Sequence, residues 1–261
     1  MDVIPIWVLF IVTIAVVMLA IEGGYRLGQR SHKKSEDEKE SPVSAISATI
    51  LGLLAFILAF TFGMTSDRYD ARKALVREEA AAIRTAWLRS DFLPEPDRGE
   101  AAQMIINYVD LRVAAINSGD LTQLASALVE SARIQTQLWD MAVVNARKDM
   151  NSDVAALYLE SLNEMTNLNA ERISVGLQAR APGISWVVLY SLIILGMFAV
   201  GYQTAIAGST RTWSMFFLAL SFSIVITLIA VLDRPQTGFV TVSQQPMENL
   251  QATMKADTAR P

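Results

Sequence analysis

Four stretches of the chain are almost continuously apolar, and a long polar stretch separates the second from the third. Residues 3–21, 43–64, 184–210 and 212–232 carry almost no charged side chains, whereas residues 65–182 have the mixed composition of a water-soluble protein. A membrane-spanning helix needs about 20 mainly apolar residues. The pattern therefore predicts a membrane protein with four spanning helices and a folded part outside the bilayer.

The bounds of the spans follow from where charge, proline and glycine interrupt the apolar runs. No lysine or arginine precedes the first run, and that run exceeds the about 7–15 apolar residues of a cleaved signal, so we expect a retained anchor. Arg211 lies in a short turn that makes the last two spans a hairpin. The predicted spans run from Ile4 to Ile21, Pro42 to Met64, Gly183 to Ala207 and Thr212 to Leu232.

The polar region has the pattern of helices throughout. No glycine or proline interrupts residues 65–93, so one helix is predicted from about Ser44 to Asp91, continuing the second span into water. Three further helices follow at about 98–117, 121–149 and 153–179, with Asp97, Asp120 and Ser152 as N-caps. Apolar residues are expected along one side of the last of these helices, at Val154, Leu157, Tyr158, Leu162, Met165 and Leu168.

These elements predict an all-α fold: four transmembrane helices with a helical-bundle extramembrane domain inserted between spans two and three. A short amphipathic helix is expected near Pro246, with Met247, Leu250 and Met254 on its apolar side. The predicted parts are the first transmembrane helix and charged linker (1–42), the second transmembrane helix (43–64), the extramembrane bundle (65–182), the transmembrane hairpin (183–232) and the C-terminal turn, short helix and tail (233–261).

Two stripes of side chains run along the second predicted span. Small residues at helical spacing form what we call the small-residue seam: Ala48, Gly52, Ala55, Ala59 and Gly63. Such seams let membrane helices approach closely. Four other residues share what we call the aromatic face, because 18 residues complete five helical turns: Thr49, Phe56, Phe60 and Asp67. This face either lines a pore in an oligomer, with phenylalanine rings that gate by dewetting, or packs against spans three and four or lipid.

The amino-acid composition excludes several classes of catalytic and binding site. The chain has no cysteine, a net charge of −4, and a single histidine, His32, within a charged linker. Thiol chemistry, Cys/His zinc sites, a preorganised catalytic triad and nucleic-acid binding are therefore excluded, and we predict neither an enzyme nor a cofactor. The mixed charges from Asp67 to Glu79 are interpreted as a solvated helix face rather than an ion-recognition collar.

Spaced motifs occur in the polar region and after the last span. They are Arg68-Tyr69-Asp70-x-Arg72, then Glu78-Glu79-Ala80-x-x-Ile83-x-Thr85-x-x-Leu88-Arg89, then Tyr108-Val109-x-x-Arg112, and finally Asp233-Arg234-Pro235-x-x-Gly238. Over about residues 43–252 this order resembles the bacterial bestrophin-like domain family of unknown function. The residues that carry the resemblance are Tyr69, Arg72, Glu79, Arg89, Tyr108, Arg112, Asp233, Pro235 and Gly238.

The resemblance implies more than the residues alone. True bestrophins are pentameric anion channels with a helical cytosolic part between spans two and three. The resemblance therefore implies a homo-oligomer, with five subunits favoured. It also implies that the protein lies in the lipid bilayer of a bacterial inner (plasma) membrane, with the bundle and both termini in the cytoplasm. Inorganic ions are the partners that such a channel would bind. Phe56 and Phe60 resemble the apolar bestrophin neck in position and type. The acidic cluster that clasps calcium in bestrophins is missing after Gly238, so no metal site is predicted.

Two functions remain open at the level of sequence. The leading hypothesis is a passive ion channel whose pore is lined by the second span, because the spans hold no charged residue of the kind that transporters use at membrane depth. The alternative is a non-conducting, membrane-anchored helical scaffold or sensor that uses the long second helix to transmit a signal. Basic residues near the span ends number six on one side and eight on the other, which leaves the sidedness undecided.

Overall fold

The computed structural model describes residues 5–32, 40–175, 181–209, 213–234 and 242–258. Within these ranges the protein is helical and contains no strand, which confirms the all-α prediction. A short 3-10 turn, Ser90–Phe92, follows the second helix. The helices are α1 (Ile6–His32), α2 (Glu40–Arg89), α3 (Asp97–Ser118), α4 (Leu121–Ala146), α5 (Asp153–Ile173), α6 (Gly183–Ile206), α7 (Trp213–Asp233) and α8 (Gln245–Thr258).

The chain divides into two compact units. The first comprises Met1–Tyr69 and Ala179–Thr241, and the second comprises Asp70–Gln178 and Val242–Pro261. Helix α2 contributes its first part to one unit and its last part to the other, without a break between Glu40 and Arg89. The absence of glycine and proline from residues 65–93 accounts for this continuity.

The first unit contains four helices that are long and apolar enough to cross a membrane: α1, the apolar part of α2, α6 and α7. Its core is built from fully buried aliphatic residues such as Val17 of α1, Leu54 of α2, Ile193 of α6 and Ile226 of α7. The predicted first span ended at Ile21, but α1 continues through two glycines to His32.

Glycines set the closest helix contact in this unit. A Cβ atom added at Gly24 of α1 would collide with the carbonyl oxygen of Phe198 in α6, and one added at Gly201 of α6 would collide with the carbonyl oxygen of Ile21. The backbones of α1 and α6 therefore touch, as small residues allow in membrane helices. The small-residue seam of α2 is not used in this way, because a Cβ added at Gly52 would meet no atom within 4 Å.

The second unit is a bundle of α3, α4, α5, the last part of α2 and α8. Helix α3 packs against α4 and α8, and α4 packs against α5. Its core includes Ile83, Ile105 and Leu138, each fully buried. The predicted C-terminal helix is confirmed as α8, whose three predicted apolar residues are all buried in this core: Met247, Leu250 and Met254.

Most helix ends in the bundle follow local signals. The carboxylate of Asp120 accepts a hydrogen bond from the amide of Thr122 at 2.8 Å, and the hydroxyl of Ser152 accepts one from the amide of Ala155 at 3.2 Å, so both predicted caps are confirmed. The predicted cap at Asp97 is wrong. Helix α3 starts there with Pro96 as the cap, and the Asp97 carboxylate instead accepts a hydrogen bond from Asn145 at 2.7 Å.

Two details of the predicted bundle need correction. On α5, Tyr158, Leu162 and Met165 are buried as expected, but Val154 and Leu157 are exposed, because α4 and the 3-10 turn, which pack on α5, cover only part of the predicted stripe. Helix α4 ends at Ala146, before the predicted 149. Helix α5 is α-helical to Ile173 and continues as a π-helical turn over residues 174–175, and its predicted end at 179 lies outside the described residues. Several predicted features lie outside the described residues, namely the turn at Arg211, the turn with Pro235 and Gly238, the middle of the charged linker and the end of the tail.

Candidate functional site

The membrane part of α2 packs on its neighbours through one narrow stripe. Ser47, Leu54, Leu58, Thr61 and Thr65 are buried and follow one another at steps of seven, four, three and four. The Ser47 hydroxyl donates to the carbonyl of Ala199 in α6 at 3.3 Å. Two leucines in the middle of the stripe thus lie between hydroxyl side chains at its two ends, and the threonine hydroxyls bond to carbonyls of α2 itself.

The aromatic face lies almost opposite this stripe. Each residue of an α-helix turns about 100° around the helix axis. On this basis the mean direction of the aromatic face is about 150° around α2 from the buried stripe and about 80° from the small-residue seam. Phe56 and Phe60 are 66% and 61% exposed within the single chain, and Thr49 and Asp67 are exposed as well. The Thr49 hydroxyl donates to the carbonyl of Ala45 at 2.8 Å. The phenylalanines are therefore not covered by α6 and α7 of the same chain, and a pore lining and a lipid-facing surface both remain as interpretations of this face.

The small-residue seam is open too. Ala48, Gly52, Ala55 and Ala59 are exposed, and Gly63 is half-buried. No helix of the described chain lies within contact distance of the two glycines in this seam. The seam and the aromatic face together form an uncovered apolar surface on one span. Such a surface is available to lipid or to another subunit.

Asp233, the last residue of α7, contacts two other segments of the first unit through its carboxylate. One oxygen of its carboxylate accepts a hydrogen bond from the amide of Ala181, two residues before α6, at 2.9 Å. The same oxygen lies 3.6 Å from a guanidinium nitrogen of Arg68 in α2. Asp233 is only 8% exposed, so the carboxylate of this ion pair is shielded from solvent, whereas the Arg68 side chain is partly exposed. The contact fixes the ends of the second, third and fourth spans to one another.

A second charged cluster occupies the core of the bundle. Glu79 of α2 is completely buried, and one oxygen of its carboxylate accepts a hydrogen bond from Arg112 of α3 at 3.0 Å. The other oxygen bonds to Arg172 of α5. Arg172 also donates to the side-chain oxygen of Gln244 at 2.5 Å, immediately before α8. A single carboxylate thus joins three helices directly and a fourth through Arg172.

Tyr108 of α3 completes this cluster. Its hydroxyl donates to the Glu79 carboxylate at 3.3 Å and accepts from Gln135 at the same distance, while the Arg112 guanidinium lies 5.9 Å from its ring centre. Burial raises the pKa of the Tyr108 hydroxyl above its usual value, Arg112 opposes this rise and Glu79 adds to it. The hydroxyl therefore stays protonated at neutral pH and can donate to Glu79.

The interpretation of the charges from Asp67 to Glu79 as a solvated face is wrong for two of them. Glu79 and Arg72 are buried, whereas Lys73, Arg77 and Glu78 are exposed as expected. The spacing of charged residues along α2 could not distinguish the buried ones from the exposed ones, because the partners of Glu79 come from α3 and α5. The signal that could have singled out Glu79 was its place in a spaced motif with Tyr108 and Arg112.

The remaining motif residues are placed separately. Arg89, the last residue of α2, donates to the carbonyl of Leu157 at 2.7 Å and lies 3.8 Å from the Glu160 carboxylate. Tyr69 is half-buried on α2. Pro235 and Gly238 lie outside the described residues. Among the residues that the structure describes, no group of three or more His, Cys, Asp or Glu side chains is arranged to hold a metal ion.

These features define an all-helical membrane protein with four candidate spans and a polar helical bundle held by a buried carboxylate. A model of the bestrophin-like domain matches residues 10–247. The chain therefore belongs to the bestrophin-like family. No curated protein matches it.

Solved structures share this fold. A crystal structure of a bacterial bestrophin homolog from Klebsiella pneumoniae superposes with a TM-score of 0.68 at 14% sequence identity, over 98% of this chain and 99% of that one. A second variant of the homolog from that organism gives 0.67 at 14% identity, over 97% and 98%. A crystal structure described as that of a membrane protein gives 0.69 at 14% identity, over 98% and 99%. At this level of identity the likeness concerns the fold alone.

Proposed function

We propose that this protein is a passive ion channel, formed by a ring of identical subunits with α2 lining the central pore. The observation that carries the proposal is the aromatic face: Phe56 and Phe60 lie on an uncovered side of a charge-free span, opposite the stripe that packs within the chain. In such a ring the two phenylalanines form consecutive apolar constrictions, which can gate by dewetting. Asp67, one turn beyond the apolar run, then lies at a mouth of the pore.

The small-residue seam supports the same arrangement. It lies about 80° around α2 from the aromatic face, on the flank that a neighbouring subunit would approach. Side chains no larger than a methyl group leave room for that approach, as they do where α1 meets α6 within the chain. Membership of the bestrophin-like family favours five subunits, and it favours a bacterial inner membrane with the bundle and both termini in the cytoplasm.

The test is ion flux through the full chain reconstituted in lipid. The protein in proteoliposomes and planar bilayers should carry current, and reversal potentials in asymmetric chloride and sodium solutions would identify the ion. Phe56→Ala combined with Phe60→Ala should raise the flux by about tenfold or more, because it removes the apolar constriction. Phe62→Ala is the matched control, since Phe62 lies on the same span away from the aromatic face and should leave flux unchanged.

Two results would contradict the proposal. A monomer in mild detergent, measured by light scattering after gel filtration, would leave no central pore. An ion flux that is the same in the wild type and in the double alanine variant would show that α2 does not line the pore. A reporter fused after Pro261 tests sidedness, with a cytoplasmic signal expected.

The unbroken helix from Glu40 to Arg89 favours a second candidate, a non-conducting scaffold or sensor. A continuous helix that leaves an apolar segment and enters a polar bundle can carry a displacement from one to the other. This candidate predicts no flux in liposomes from wild-type protein or from the double variant. The flux experiment therefore distinguishes the two functions.

A further inference from the structure

The aromatic face of α2 carries one ionisable residue, and it lies where the apolar run ends. Residues 41–66 hold no charged side chain, and Asp67 is the first charged residue after them. Because Asp67 follows Thr49 by 18 residues, which complete five turns of an α-helix, it points in the same direction around α2 as the phenylalanines. An ion that moves along this face past Phe56 and Phe60 therefore also passes the carboxylate of Asp67.

The carboxylate of Asp67 is not neutralised within the chain. The residue is exposed, and it takes part in no hydrogen bond or ion pair with the residues that the structure describes. Its negative charge is therefore available to ions in the surrounding water.

The two basic residues that follow most closely on α2 are directed away from this face. Arg68 lies about 100° around the helix from Asp67. Its guanidinium group is instead 3.6 Å from the carboxylate of Asp233 in α7. Arg72 lies about 140° around the helix and is buried. Neither of these positive charges lies beside the Asp67 carboxylate on the uncovered side of the helix.

The next turns of α2, as far as residue 84, carry no basic residue in the direction of the aromatic face. Lys73 and Arg77 are exposed, but they lie at least about 80° around the helix from that direction. The charged residues within about 60° of it are Asp70 and Glu78, which are exposed and acidic. Nothing on this side of the helix therefore opposes the negative charge at the end of the apolar run.

We propose that Asp67 makes the conductance selective for small inorganic cations, such as sodium, over anions such as chloride. This selectivity rests on the proposed function, in which the aromatic face of every subunit lines one central pore. The ring then brings several copies of the carboxylate together at one mouth of the pore. A ring of like charges raises the local concentration of counter-ions and repels ions of its own sign. Phe56 and Phe60 then control whether ions pass, and Asp67 determines the sign of their charge.

The test measures the ion selectivity of the full chain in planar bilayers, with a gradient of sodium chloride across the membrane. The reversal potential of the wild type should give sodium a permeability about tenfold or more above that of chloride. Asp67→Asn removes the charge at nearly constant size, so it should lower this ratio by about threefold or more while the current persists. Asp67→Lys should make chloride the more permeant ion. Asp140→Asn is the matched control, because Asp140 is exposed on α4, and it should leave the ratio unchanged.

The dependence on salt concentration gives a second readout, which a merely structural role of Asp67 would not produce. The field of an exposed charge reaches about 10 Å at about 0.1 M salt but only about 3 Å at about 1 M. The preference of the wild type for sodium should therefore fall when the solutions on both sides are made more concentrated. The permeability ratio of Asp67→Asn should change little over the same range.

The failure of this proposal differs from the failure of the channel itself. A wild-type current that does not prefer sodium, or an Asp67→Asn variant with the wild-type permeability ratio, overturns the role of Asp67 and leaves the channel in place. An absence of current from the wild type overturns the proposed function and the selectivity with it. Because Asp67 is exposed, Asp67→Asn should keep the wild-type unfolding temperature, which excludes a folding defect as the cause of a lost preference.

Discussion

Glu79 is the residue whose loss should most damage the bundle. Its carboxylate is fully buried and is the shared acceptor of Arg112, Arg172 and Tyr108. Glu79→Gln keeps the size of the side chain but removes its negative charge. Two guanidinium groups, 6% and 12% exposed, would then lie in the core without a counter-charge at that position.

The magnitude follows from the cost of breaking a buried ion pair. Removing one partner typically costs about 3–5 kcal/mol, because the remaining charge stays buried. For a chain of this size each kcal/mol lowers the unfolding temperature by about 2–4 °C. We therefore expect Glu79→Gln to lower the unfolding temperature of the bundle by about 10 °C, measured by scanning calorimetry in detergent.

The neighbouring residue is the matched control. Glu78 is exposed, so Glu78→Gln should change stability by no more than about 0.5 kcal/mol. A double-mutant cycle with Arg172→Met adds a second check: the loss in the double variant should be smaller than the sum of the single losses, because the residues share one network. Equal unfolding temperatures for the two glutamine variants would refute this account of the cluster.

Two further variants test the packing of each unit. Gly201→Ala should lower thermal stability by about 1–3 kcal/mol, because its Cβ would collide with the Ile21 carbonyl, while Gly183→Ala, which meets no atom within 4 Å, should not. Met254→Ala should cost about 2–5 kcal/mol and should speed proteolysis of α8, since Met254 is fully buried, whereas Met150→Ala, at an 81% exposed position, should have no measurable effect. Loss of stability in either control, or none in either buried variant, would contradict these expectations.

The helices of this protein follow from residues that lie close together in the sequence. The length of each apolar run is enough to predict a spanning helix, because an unpaired backbone group in lipid is too costly for any other open structure. Asp120 and Ser152 cap their helices because the amides they bind are two and three residues away. The C-terminal helix is also local, since Met247, Leu250 and Met254 already share a face in the sequence.

The buried charged cluster, in contrast, is formed by residues that lie far apart in the sequence. Glu79 meets Arg112 and Arg172 across 33 and 93 residues, so no window of sequence distinguishes it from the exposed Glu78 beside it. The resemblance placed Glu79, Tyr108 and Arg112 in one set of motifs, but it did not indicate that they touch. Arg172 and Gln244 carried no signal and were missed.

The sequence by itself determined which segments are helical and which of them are apolar enough for a membrane, because both properties arise from neighbouring residues. Only the tertiary structure decided which face of each helix is covered. It placed the close backbone contact at Gly24 and Gly201 rather than on the small-residue seam, and it left Phe56 and Phe60 uncovered. The reason is physical: a helix face is buried or exposed according to the neighbours that pack on it, and those neighbours lie far away along the chain.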